Sequence, residues 1–147
     1  MTQKVRYQKL DNRAVEPTYG SAYAAGADLY ALMDAPLTLE AGQTALVHTG
    51  LAVEIPEGFV GLVCARSGLA TKRGLAPANK VGVIDSDYRG EVMVALHNHG
   101  TEAQTIEQGE RIAQLVLVPY LTAAYEQADS LTDTDRGAGG FGSTGTK

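Results

Sequence analysis

Apolar and alternating runs in this chain are short, and Gly, Pro, Asn or Asp interrupts them at intervals of roughly ten residues. An amphipathic helix needs an apolar stripe sustained at i, i+3 and i+4, and that spacing is scarce here. The pattern predicts an all-β fold with strands at residues 5–9, 27–31, 44–48, 51–55, 59–64, 90–98, 104–106 and 111–120. Along 91–98, Val92, Val94 and Leu96 share one face, while Met93, Ala95 and His97 take the other. Strand 111–118 is apolar on both faces, as expected of a strand covered on each side. A small sandwich or barrel has one solvated side, so a second subunit is the simplest cover. One short helix is predicted at 67–73, where Ser67 can cap the free amides of the first turn and Gly74 can end it in a left-handed conformation.

A chain of 147 residues suits one domain with a real core. Its net charge of -5 opposes a broad basic surface, so a nucleic-acid backbone is not an expected partner. The apolar run 115–120 is far below the roughly 20 residues of a spanning helix, and no apolar stretch follows Lys4, Arg6 and Lys9 as in a signal peptide. The expectation is no membrane association. The one cysteine, Cys64, cannot form an intrachain disulfide, which points to a reducing cytoplasm. Beside Val63 it reads as a small buried hydrophobe. From residue 135 the composition shifts to Gly alternating with Ser and Thr, so we divide the chain into a β-domain, 1–134, and a flexible Gly-rich segment, 135–147.

Three strings carry candidate chemistry. In the tail, Arg136 precedes five glycines, the hydroxyls of Ser143 and Thr144, and the ring of Phe141. Glycine-rich turns form anion nests and arginine suits phosphate oxygens, although the same composition fits a tail without a role. It is no Walker A loop, because Gly145, Thr146 and Lys147 break that order. Between residues 82 and 91, Asp85 can orient and deprotonate a water and Tyr88 can lie against a flat or sugar-like ligand. Read alone, the string is also an acidic turn. At Arg66, Ser67 and Gly68 a helix start offers amides to phosphate, or simply a cap. Asp28 and Gln114 put a carboxylate and an amide on otherwise apolar strands, where they need partners or a ligand. His97 and His99 share a strand face, but with one cysteine and only His48 besides, a zinc site is not expected.

In order, residues 25–31, 66–68, 82–91, 109–115 and 136–145 resemble the successive motifs of the trimeric dUTPase family and span most of the chain. Ala65 stands where proline is common in that family. The resemblance implies a jelly-roll-like β-barrel with one short helix, and a homotrimer with an exchanged C-terminal segment and active sites shared among subunits. It implies hydrolysis of dUTP to dUMP and pyrophosphate, with Asp85 as general base for in-line attack on the α-phosphate. Mg2+ would bridge the phosphates, and Asp28 would hold it through water. Arg66, Ser67, Gly68 and Gln114 would contact the phosphate chain and Arg136 the γ-phosphate. Asn79, Gly82, Val83, Ile84, Asp85, Tyr88 and Met93 would form the nucleoside site, with main-chain groups near Gly82 and Val83 reading uracil. Phe141 would stack on the base as Gly142, Ser143 and Thr144 close over the substrate. The related dCTP deaminases share the fold class, and a trimeric scaffold that only binds dUTP is the non-catalytic alternative.

Overall fold

The computed structural model describes residues 2–141. Its strands form three antiparallel ladders. The first runs β1 (Arg6–Lys9), β5 (Thr44–Glu54), β9 (Glu91–Asn98) and β7 (Leu75–Pro77). The second runs β2 (Thr18–Tyr19), β3 (Gly26–Tyr30), β11 (Arg111–Pro119), β6 (Phe59–Cys64) and β8 (Gly82–Ile84). The third pairs β10 (Gln104–Ile106) with β4 (Leu37–Leu39). The core lies between the ladders. Val47, Val53, Val94 and Leu96 from the first meet Leu29, Val63, Ile112 and Leu115 from the second, with Leu39 and Ile106 from the third. The result is jelly-roll-like, with ladders that do not join into one closed barrel.

Strand β9 keeps the alternation read from sequence: Val92, Val94, Leu96 and Asn98 are buried and the residues between them half-buried. Burying Asn98 requires partners, and its side chain has them. Its amide donates to the carbonyls of Leu39 and Glu102 at 2.9 and 2.8 Å, and its oxygen accepts from the Gly100 amide at 2.9 Å.

Three local expectations are corrected. The strands expected at 44–48 and 51–55 are one strand, β5, and the gap between them is a bulge where the register to β9 shifts between His48 and Ala52. Gly50 takes φ +69 there, and a Cβ would sit 2.5 Å from Leu32 Cδ2. The short strands β2, β4, β7 and β8 were not marked by the sequence pattern, since two or three residues carry no legible period. Helix α1 spans Ser67–Arg73 and ends at left-handed Gly74, φ 64, as expected. Ser67, however, is not its cap: Arg66 holds the N-cap position in extended conformation and no side chain caps the helix. No helix among the described residues is long and apolar enough to cross a membrane.

Candidate active site

Strand β8 pairs with β6 through Gly82 opposite Val63 and Ile84 opposite Gly61. Two tight turns flank it. Before it, Lys80 adopts φ 68 while its amide reaches the Pro77 carbonyl; after it, the Tyr88 amide reaches the Asp85 carbonyl. Gly82 lies against Val63 and Asn79, where a Cβ would come within 3.1 Å of the Val63 side chain. The Tyr88 ring covers Gly90, whose Cβ would overlap it, and the Tyr88 hydroxyl donates to the Glu91 carbonyl at 2.9 Å. Backbone closeness at two glycines thus shapes a cleft of about 260 Å³. Asn79, Gly82, Val83, Ile84, Asp85, Tyr88 and Met93 all line it, together with Leu46, Val63, Glu91 and Val92. Asp85 is exposed and also borders a larger, polar depression of about 690 Å³ with Glu54, Glu57, Asp87 and Arg89. An exposed carboxylate between an apolar slot and a polar basin can reach both a bound organic group and water.

A second group lies across β3, β11 and β6. The ladder aligns Thr18, Asp28, Gln114 and Cys64 in one row. Asp28 is buried, and its two oxygens accept from Arg66 Nε at 2.7 Å and Arg111 Nη1 at 3.2 Å. Gln114 donates to the Ala65 carbonyl at 2.8 Å and lies over Gly26, where any Cβ would strike it. The polar groups on these apolar strands therefore do have partners. Arg66, Ser67 and Gly68 follow directly at the start of α1, and Arg73 at its other end bonds to Gln104, the Thr105 carbonyl and Glu110. That anchoring sets α1 against the turn that leads into Arg111.

The cleft lining includes none of Asp28, Arg66, Ser67, Gly68, Gln114, Arg136 or Phe141. After β11 the described chain is irregular and largely exposed; Arg136 donates to the Gly139 carbonyl at 2.8 Å, and Phe141 is fully exposed with φ 52. Gly142, Ser143 and Thr144 lie outside the described residues. His97 hydrogen-bonds Thr44 at 2.7 Å and stacks edge-on against His99, with ring centres 4.3 Å apart. Burial, with help from Lys80 and His97, holds His99 below the usual imidazole range. Among the described residues no group of three or more His, Cys, Asp or Glu could hold a metal ion. Leu46, which lines the cleft, and Arg111, which bonds Asp28, are not among the residues that the sequence marks, although Arg111 stands inside the string 109–115.

Fold and site define an all-β, jelly-roll-like protein with a small half-apolar cleft beside an acidic turn and an arginine-rich sheet edge. Residues 12–145 match the dUTPase family. A deoxyuridine 5'-triphosphate nucleotidohydrolase of Desulfitobacterium hafniense is 52% identical over 97% of this chain and 95% of its own. One from Rhizobium leguminosarum bv. trifolii is 55% identical over 88% and 84%. Among solved structures, a dUTPase of Staphylococcus bacteriophage 80alpha with dUPNHPP superposes with a TM-score of 0.89 at 30% identity, covering 99% of this chain and all of that one. The chain belongs to the dUTPase family.

Proposed function

We propose that this chain hydrolyses dUTP to dUMP and pyrophosphate, limiting uracil in DNA and supplying dUMP for thymidylate synthesis, with Mg2+ as cofactor, in a cytoplasmic homotrimer. The observation that carries the reading is the cleft that gathers Asn79, Gly82, Val83, Ile84, Asp85, Tyr88 and Met93. Main-chain donors and acceptors at Gly82 and Val83 match the edge of uracil, and cytosine would leave them unpaired. A hairpin this tight would clash with a thymine methyl. Tyr88, pinned over Gly90, packs under deoxyribose and disfavours a 2′-hydroxyl.

Asp85 takes the proton of a water that attacks the α-phosphorus in line. Arg66, Ser67, Gly68 and Gln114 receive the phosphate chain and Arg136 the γ-phosphate, so donors face the charge that develops as pyrophosphate leaves. Asp28 is buried with both oxygens held by Arg66 and Arg111, so it would hold a hard cation only through that cation's waters, with phosphate supplying most other ligands; bound there, the cation would neutralise phosphate charge. The cleft lining of one chain includes none of the residues assigned to phosphate, in keeping with a site completed by a neighbouring subunit. Residues 1–134 act as the β-domain, and 135–147 as a lid in which Phe141, Gly142, Ser143 and Thr144 close on the nucleotide.

The test is a panel of deoxynucleoside and ribonucleoside triphosphates assayed for both pyrophosphate and ammonia. Pyrophosphate should come from dUTP alone, without ammonia. Asp85→Asn should bind dUTP yet turn it over about two to four decades more slowly, since an amide positions water but cannot accept its proton. Ammonia from dCTP would establish a deaminase instead, and dUTP binding without turnover a scaffold; near-normal turnover by Asp85→Asn would take the base role from Asp85.

A further inference from the structure

Side chains as well as the ladder tie the bulge of β5 to the start of β9. From His48 opposite Met93 to Ala52 opposite Glu91, β5 advances four residues while β9 advances two, so main-chain groups of β5 outnumber their partners there. The Glu91 carboxylate supplies acceptors. One oxygen accepts from the Gly50 amide at 2.8 Å and the other from His48 Nδ1 at 2.9 Å, while the Thr49 hydroxyl donates to the Val92 carbonyl at 2.5 Å. Glu91 borders two hollows, the nucleoside cleft on one side and on the other a depression of about 440 Å³ that it shares with His48 and Gly50.

The main chain of the same residue carries Tyr88. Its hydroxyl donates to the Glu91 carbonyl at 2.9 Å, and the ring lies over Gly90, where a Cβ would come within 2.4 Å of the hydroxyl oxygen. Tyr88 is 42% exposed, so packing covers it only in part and the hydrogen bond fixes the tip of the ring. That bond is placed no better than its acceptor. Glu91 opens β9, and the end of a strand frays unless something holds it. Its own carboxylate, clasped by the bulge, does so. We propose that Glu91 is a positioning residue for the sugar side of the nucleoside site: the clasp with Gly50 and His48 fixes the carbonyl on which the Tyr88 hydroxyl rests, and so sets how closely the ring approaches the 2′ position. This rests on the functional reading above, in which Tyr88 packs under deoxyribose, and adds the residue that holds Tyr88 there.

The experiment measures kcat and KM for dUTP, and the inhibition constant of UTP against it, with thermal midpoints alongside. It compares intact wild type with Glu91→Ala, Glu91→Gln, Tyr88→Phe and the double variant of Glu91→Ala with Tyr88→Phe. Glu91→Ala should narrow the preference for dUTP over UTP about three- to tenfold, the scale of one hydrogen bond, and the change should fall on KM more than on kcat. Glu91→Gln, which keeps one acceptor for the Gly50 amide, should fall between. Tyr88→Phe has no hydroxyl to place, so adding Glu91→Ala to it should narrow the preference little further. Should Glu91→Ala not fold, Glu91→Gln replaces it, alone and with Tyr88→Phe, under the same expectations. An unchanged preference in the folded variant overturns the proposal, and a lowered midpoint beside it marks a clasp that serves folding alone. An undiminished effect in the Tyr88→Phe background overturns it too. Wild type that turns over dUTP without preferring it to UTP takes the sugar role from Tyr88 and this inference with it, whereas wild type that does not turn over dUTP overturns the functional reading itself.

Discussion

Gly26 shows how one missing Cβ organises the sheet around Gln114. Its backbone is ordinary, yet a Cβ there would overlap the carboxamide of Gln114 on the neighbouring strand. Since the far end of a glutamine can swing aside, Gly26→Ala should fold. It should do so by breaking the 2.8 Å bond from Gln114 to the Ala65 carbonyl, at a cost of about 1 kcal/mol. If that overlap is the cause, Gly26→Ala should cost little further stability in a Gln114→Ala background. A full, additive loss in the double variant, measured by denaturant unfolding at one protein concentration, would point elsewhere. The same scale explains what the sequence disclosed. Turn-forming residues at 79–91 announced the cleft because each acts locally: Gly82 admits Val63, and Gly90 admits the Tyr88 ring. Arg111 stayed hidden, because its face depends on a one-residue bulge fixed by pairing with β3, and no local signal marks that register.

At the level of elements, the long strands were legible and the short ones were not. The alternation of β9 is written in its residues, whereas β2, β4, β7 and β8 exist because partners distant in the chain offer them a ladder edge. The break between residues 48 and 51 was visible, but as a gap between two strands. What makes it one strand is the bulge, and Glu91 braces it: its carboxylate accepts from His48 Nδ1 at 2.9 Å and from the Gly50 amide at 2.8 Å. Burial pushes the Glu91 carboxyl up, but the hydrogen bonds from His48, Gly50 and Thr49 outweigh it and hold the group below its ordinary value of 4.5. A carboxyl depressed in the folded state adds stability above its unfolded pKa and loses it as pH falls through the folded one. Glu91→Gln should therefore destabilise by about 1 kcal/mol at neutral pH. The gap to wild type should narrow as the pH falls below 4.5, as read from urea unfolding across pH. A gap that widens as the pH is lowered would contradict this assignment.

For the whole molecule, the question is what covers the surfaces one chain leaves open. Leu46 and Val83 are 56% and 64% exposed, and Leu121, Tyr125 and Leu131 follow β11 almost fully exposed. Between the two large ladders a groove of about 260 Å³, lined by Val5, Tyr7, Pro17, Tyr19 and Leu117, is open on the same chain. Exposed apolar residues beside an open apolar groove fit exchange of the segment after β11 between copies, in keeping with the proposed trimer. Cutting the chain just before Arg136 separates assembly from catalysis, because the apolar part of that segment is kept while the residues assigned to the lid are lost. The truncated protein should still sediment as a trimer and keep its melting temperature, since residues 136–138 and 141 bury almost nothing in the described chain. Turnover of dUTP should drop by about two decades or more, because loss of even one preorganised donor to developing charge costs that much and several are lost together, though not additively. In the intact protein trypsin should cut after the exposed Arg136, and dUPNHPP with magnesium should protect that bond. Full turnover by a truncated trimer would remove the lid from the mechanism, whereas an active monomer would dismantle the shared site on which the functional reading depends.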